Sequence, residues 1–212
     1  MSVQPKLRAP EAIEAESFRI IEEELGPHGF SPDEFQIIRR VIHATADFEF
    51  ARNLVFHPDA IARAMQAIRR GCDLVVDVAM IQAGVSKPAL ASFGNGRVLS
   101  FITDPDVVEE AKREGITRAI ASMRKAARAA PDAIYAIGNA PTALFEAIRL
   151  VEEKQMAPAL IVGVPVGFVS AVESKDALIA SGYPHIAARG RKGGTPVAVA
   201  ALNALLALAK SA

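Results

Sequence analysis

The sequence predicts an α/β fold, a three-layer sandwich with a mostly parallel central sheet and helices on both faces. Two observations carry that prediction. Short, apolar, β-branched runs bounded by glycines or prolines alternate with helical stretches, and strands alternating with helices of about 10–15 residues build a parallel sheet covered on both sides. The chain also has 212 residues, 51% of them hydrophobic. That fits a single domain spanning residues 1–212, able to bury roughly 70% of the unfolded surface without a staple.

The elements follow in order. Residues 10–25 carry apolar side chains at Ile13, Phe18, Ile21 and Leu25, and Gly26-Pro27 ends that helix. Ser31-Pro32-Asp33-Glu34 predicts the capping box of a second helix, running through Phe35, Ile38, Val41 and Ile42 to about His43. His57-Pro58-Asp59 opens a third, ending near Gly71. The period then changes. Residues 74–79 and 98–103 read as strands, the second leading through Asp104-Pro105 into a helix. Residues 116–129 read as a helix with a basic side, 133–137 and 160–164 as two more strands, and 140–153, 171–181 and 196–209 as helices. Residues 155–172 and 193–209 lack charge, but the first is cut by prolines and glycines and the second contains Asn203. Both lie at or below the short end for a membrane span, so buried segments are expected.

Charge narrows the function classes. Basic and acidic residues number 24 each, which argues against a general nucleic-acid binder. The balance is uneven along the chain. Residues 1–50 hold 5 basic and 10 acidic side chains, and no carboxylate side chain follows Asp176, although Arg189, Arg191, Lys192 and Lys210 do. The single Cys72 excludes an internal disulfide and a thiolate zinc cluster, and before a buried strand it reads as a small core residue. The N-terminal residues have no apolar core, so no secretory signal is expected and the protein is expected to be cytoplasmic. No G-x-G-x-x-G between strand and helix, P-loop, H-E-x-x-H or serine elbow is present.

Three glycine-rich connections open helices. In Gly138-Asn139-Ala140-Pro141, Asn139 is a candidate cap. In residues 163–170, glycines such as Gly167 let a ligand approach the backbone, and Ser170 with Glu173 forms a candidate capping box. In Arg189-Gly190-Arg191-Lys192-Gly193-Gly194-Thr195, a cationic loop runs into a helix expected to be capped by Thr195. Helix N-termini attract carboxylates and phosphates, and in an open α/β sheet such loops gather at the carboxyl ends of the strands. Each alone is compatible with ordinary turn chemistry; together they favour an anionic ligand. Helical spacing also puts Arg39 and Arg40 on the side of His43, pairing an anion clamp with a proton donor active near neutral pH. Arg118, Arg124, Lys125 and Arg128 form a cationic helix side assigned to solvent or a dimer surface.

Four segments together, HATADFEF (43–50), GNAPTAL (138–144), GVPVGFVSAVESK (163–175) and RGRKGGTPVAVAALNAL (189–205), resemble the precorrin-8X methylmutase family of corrin biosynthesis. The resemblance runs from Glu16-Ser17-Phe18 to the last helix. It implies an intramolecular methyl migration from C11 to C12 of the macrocycle, precorrin-8X to hydrogenobyrinate, with no cofactor and no metal. It carries the catalytic histidine onto His43 and substrate contacts onto Ser17 and Arg40, and it implies a homodimer with the pocket near the subunit interface. A large ring rimmed by carboxylates would want an apolar cleft edged by arginines and backbone N–H groups, which adds Gly138, Asn139, Gly167, Arg189, Arg191 and Lys192 as substrate-binding candidates. No nucleic-acid or membrane partner is expected. The alternatives are a tetrapyrrole carrier without chemistry, which would not need His43, and a nucleotide-dependent enzyme, which the missing glycine fingerprint disfavours. The metal-free substrate is favoured over the cobalt-containing one, since no residue pattern suggests a need for metal.

Overall fold

The computed structural model describes residues 9–211. Helices α1 (Pro10–Leu25) and α2 (Pro32–Thr45) come first, and a single helical turn, α3 (Phe50–Asn53), runs directly into β1 (Leu54–Phe56). Next come α4 (Ala60–Arg69), β2 (Leu74–Val76), α5 (Ala79–Gly84), α6 (Lys87–Ala91) and β3 (Val98–Leu99). The paired helices α7 (Pro105–Glu114) and α8 (Arg118–Ala129) precede β4 (Ile134–Ile137). The rest alternates strictly: α9 (Pro141–Glu152), β5 (Leu160–Gly163), α10 (Ala171–Ala180), β6 (His185–Ala188) and α11 (Thr195–Ser211).

The six strands lie in the order β1-β6-β5-β4-β2-β3. All neighbours are parallel except β1, which runs antiparallel to β6 with Val55 opposite Ala187. Successive side chains of a strand face opposite ways, and the core divides accordingly. Leu74, Val76, Ile134, Ala136, Leu160 and Val162 join the core on the side of α2, α4 and α11. Val75, Tyr135, Ile137 and Ile161 join the core under α8, α9 and α10. This is the expected three-layer sandwich.

The structure adds two strands to the four read from sequence. β6 is His-Ile-Ala-Ala, and alanine has little strand preference; its burial between β5 and β1 imposes the conformation. β1 has only three residues between α3 and Pro58. The predicted strand 98–103 shrinks to Val98–Leu99 at the sheet edge. Among the described residues no helix is long and apolar enough to cross a membrane. The Asn203 amide of α11 accepts from the Ser86 N–H and donates to the Gly84 carbonyl, tying the α5–α6 turn to the last helix.

The capping box of α2 is present: the Glu34 N–H donates to Ser31 Oγ, and the Ser31 N–H donates to the Glu34 carboxylate at 2.9 Å. Three other predicted caps are absent. Ser170 has φ 62°, and its hydroxyl caps nothing, so it forms no box with Glu173. Thr195 is the first residue of α11 rather than its cap, and the Gly194 carbonyl accepts the first helical bond, from Ala198. Asn139 gives no cap to α9, because a buried carboxylate from the residue just beyond β2 has taken that position. Two of the four cations on the basic side of α8 are neutralised. Arg124 pairs with Glu110, Glu114 and Glu146, and Lys125 with Asp104 and Asp106. These carboxylates come from the α7 region and α9, whose packing against α8 the sequence does not display.

Candidate active site

The glycine-rich loops do gather at the carboxyl ends of the strands. A Cβ on Gly138, just beyond β4, would lie 3.1 Å from both Ala198 Cβ and the Gly194 carbonyl oxygen at the start of α11. The Gly194 N–H donates to the Val164 carbonyl, and the Gly167 N–H to the Arg191 carbonyl, so the loop after β6 lies on the loop after β5. Around this edge Met80, Val166, Phe168 and Val169 are exposed, the last two at 82% and 84%. Such apolar exposure beside cations suits a flat ring with a charged rim.

β2 is the topological switch point, because β3 and β4 leave it on opposite sides. In open α/β sheets that crevice is where ligands bind. Here the protein fills it. Asp77, the first residue past β2, is 1% exposed, and its carboxylate accepts from the N–H groups of Gly138, Asn139 and Ala140 at 3.1, 2.9 and 2.8 Å. Burial raises its pKa, and the three N–H groups oppose the rise. The backbone N–H groups of Gly138 and Asn139 are thus taken up by an internal carboxylate. Only the exposed Asn139 side chain remains available to a ligand. A carboxylate in this crevice also repels phosphate and weighs against a nucleotide.

Arg40 and His43 form a second group on the α1–α2 pair, with Ser17 next to Phe18 along α1. Phe18 is its hub. The His43 ring meets it edge-on with centroids 5.3 Å apart, the Arg40 guanidinium lies 5.3 Å from its centroid, and that of Arg39 lies 4.2 Å away. Arg39 is committed to Glu22 and Gln36. Arg40 makes one 3.1 Å ion pair with the half-exposed Glu14. Such a surface pair is worth about 0–1 kcal/mol and is open to displacement by an incoming carboxylate. His43 is exposed in the last turn of α2. The Ser17 hydroxyl donates to the Ile13 carbonyl at 2.8 Å.

Lys192 joins the two groups. Its ammonium lies 2.6 Å from Asp47 and 3.0 Å from Glu49, four and six residues beyond His43. That hydrogen bond holds Asp47 below the usual carboxylate range. With two carboxylates bound, Lys192 ties the cationic loop to the end of α2, and its half-exposed ammonium would have to exchange one of them to meet a substrate carboxylate. The Gly167 N–H donates to the Arg191 carbonyl, which holds this glycine against the cationic loop. Arg189 and Arg191 are exposed and form no ion pair among the described residues. The Arg191 guanidinium sits 5.4 Å from the Phe168 ring centroid. Cys72 lies apart, half-buried, with its thiol pushed up to about 11 by burial, as befits a core residue.

Gly193 fixes how closely the two loops approach. Its φ is +157°, and a Cβ there would stand 2.2 Å from the Val164 carbonyl oxygen, a backbone atom. Gly193→Ala is therefore expected to displace the cationic loop, lowering Tm by about 5 °C through roughly 2 kcal/mol of strain and raising KM. Gly190→Ala is the control, since its φ of +75° is also positive but a Cβ there meets nothing within 4 Å. Thermal unfolding and steady-state kinetics of the two variants would separate loop clash from backbone conformation.

With this geometry in hand, comparison with known proteins decides the family. The profile described as precorrin-8X methylmutase matches residues 12–208. The chain belongs to the precorrin-8X methylmutase family. A cobalt-precorrin-8 methylmutase of Priestia megaterium is 52% identical over 98% of this chain and 92% of its own length. A precorrin-8X methylmutase of a Sinorhizobium species is 38% identical over 94% and 95%. A crystal structure of the precorrin-8X methylmutase from Thermus thermophilus superposes with TM-score 0.89 and 43% identity, covering 95% of this chain and 97% of that one. Membership makes this methylmutase an isomerase of corrin biosynthesis.

Proposed function

We propose that this methylmutase moves the C11 methyl group of a precorrin-8 macrocycle to C12, with His43 as the general acid. The carrying observation is His43 itself: exposed, edge-on to Phe18 beside Arg40, and four residues before Asp47, which pairs with Lys192 of the cationic loop. A proton or hydrogen bond from His43 to a ring nitrogen withdraws electron density from the conjugated system and favours a 1,5-sigmatropic shift. The reaction is an isomerisation, so every atom of the substrate stays in the product and the proton is returned. The remaining acceleration comes from holding a reactive conformer of the ring. Exposed Phe168 and Val169 offer it an apolar face, while Arg40, Arg189 and Arg191 receive its carboxylates and Ser17 and Asn139 its polar edge.

The substrate is proposed to be the cobalt-containing macrocycle, a shift from the metal-free form that residue patterns favour. Six relatives named for the cobalt substrate are 40–52% identical to this chain, and two named for the metal-free one are 38% and 36%. The Thermus thermophilus structure, which also carries the precorrin-8X name, is 43% identical, so the two highest identities, 52%, both fall to the cobalt-named relatives. Incubation with both substrates, followed in the visible spectrum, tests this: faster turnover of the cobalt form is expected, and turnover of neither refutes the methylmutase reading. The edge around Phe168 is open in one chain, which suits a homodimer whose second copy helps to enclose the ring.

Arg191→Ala is expected to raise KM about tenfold, the worth of one charge-assisted hydrogen bond, and to flatten the salt dependence of binding. Unchanged KM and salt dependence would remove Arg191 from the substrate contacts.

A further inference from the structure

Lys175 has no part in the chemistry above, yet its burial is unusual. Its side chain is 0% exposed on α10, and lysine is almost never fully buried unless it is paired. Burial pushes its pKa down to about 8, against a favourable contribution from Asp176. The partner it reaches is a main-chain oxygen: its ammonium donates to the Lys192 carbonyl at 2.7 Å. Residue 192 is thus gripped at both ends, its carbonyl by Lys175 from below and its own ammonium by Asp47 and Glu49. The neighbouring Arg191 carbonyl accepts from the Gly167 N–H, and the Gly194 N–H donates to Val164. Of the bonds that fix the loop onto the 164–175 segment, the one from Lys175 is charge-assisted and shielded from water, which makes it the strongest.

We propose that Lys175 is a positioning residue for this isomerase: its buried ammonium holds the cationic loop so that Arg191, stacked on Phe168, stands ready for a substrate carboxylate. This rests on the assignment of Arg191 to substrate binding. A buried charge burdens the fold, so a neutral replacement should leave the protein folded while freeing the loop. A loop that binds ground state and transition state alike changes KM and not kcat.

The test uses the whole chain with Lys175→Met, Lys175→Gln, Lys175→Arg and Arg191→Ala. Lys175→Met is expected to keep its Tm, to raise KM about tenfold with kcat within about twofold, and to speed amide exchange in residues 189–194 about tenfold without affecting β4 and β5. Lys175→Arg, which keeps a charged donor, should recover most of the lost affinity, and Lys175→Gln should behave as Met does. Unchanged KM and exchange in Lys175→Met, with KM raised in Arg191→Ala, overturns the role of Lys175 alone. Unchanged KM in both variants overturns the substrate-binding reading of the loop and the Lys175 role together. Failure of both neutral variants to fold also overturns it, because the ammonium would then be a requirement of the fold.

Discussion

Replacing Asp77 by alanine is expected to lower Tm by about 10 °C, a loss of about 3–5 kcal/mol for a protein of this size. The reason is local. The carboxylate accepts three N–H groups at the start of α9, and it is buried where β2 and β4 part. Alanine would leave those donors without a partner and a hole beside them. The loss reaches the site, because Gly138 lies so near the start of α11 that a Cβ there would stand 3.1 Å from the Gly194 carbonyl oxygen, where the cationic loop enters the helix. Asp77→Asn keeps the volume and one acceptor oxygen but turns an NH2 group toward N–H donors, so it should fall between alanine and wild type. Thermal unfolding of the two variants checks this, and a loss under about 2 °C for alanine would mean that water or a shifted backbone replaces the carboxylate.

His43→Ala is expected to slow the methyl shift by about 10²–10⁴-fold, the usual range for losing one general acid, equivalent to about 3–5 kcal/mol in the barrier. The fold should hardly notice. His43 is exposed in the last turn of α2, its ring meets Phe18 edge-on, and its side chain makes no hydrogen bond among the described residues. The buried Ile37, Ile38, Val41 and Ile42 anchor the helix on its other side. Rate and stability therefore separate at this residue, whereas at Asp77 they fall together. A carrier without chemistry would bind the ring as well with alanine at position 43 as with histidine.

The sequence displayed what local chemistry decides. Ile134–Ile137 and Leu160–Gly163 are strands because apolar, half β-branched runs there are buried on both faces, and the capping box at Ser31 is written in four consecutive residues. What long-range contacts decide stayed hidden. β6 carries alanines that become a strand only between β5 and β1. Arg124 looks free on its helix until Glu110, Glu114 and Glu146 arrive from neighbouring helices. The loop donors at Gly138 to Ala140 look vacant until Asp77 takes them. Two signals were nevertheless present. Asp77 interrupts the apolar run Leu74-Val75-Val76-Asp77-Val78-Ala79, where a carboxylate needs a reason. Lys175 shares helical spacing with the buried Ala171, Ser174 and Leu178, which puts its stem on the inward face of α10.

The role of His43 is tested most directly by single-turnover conversion on wild type and His43→Ala, with enzyme in excess over the macrocycle and the visible spectrum followed. With binding saturated, the observed rate reports the methyl shift alone. The prediction is unchanged binding and Tm for His43→Ala, with a rate at least about a hundredfold lower. A folded His43→Ala protein that converts the ring at the wild-type rate would contradict it.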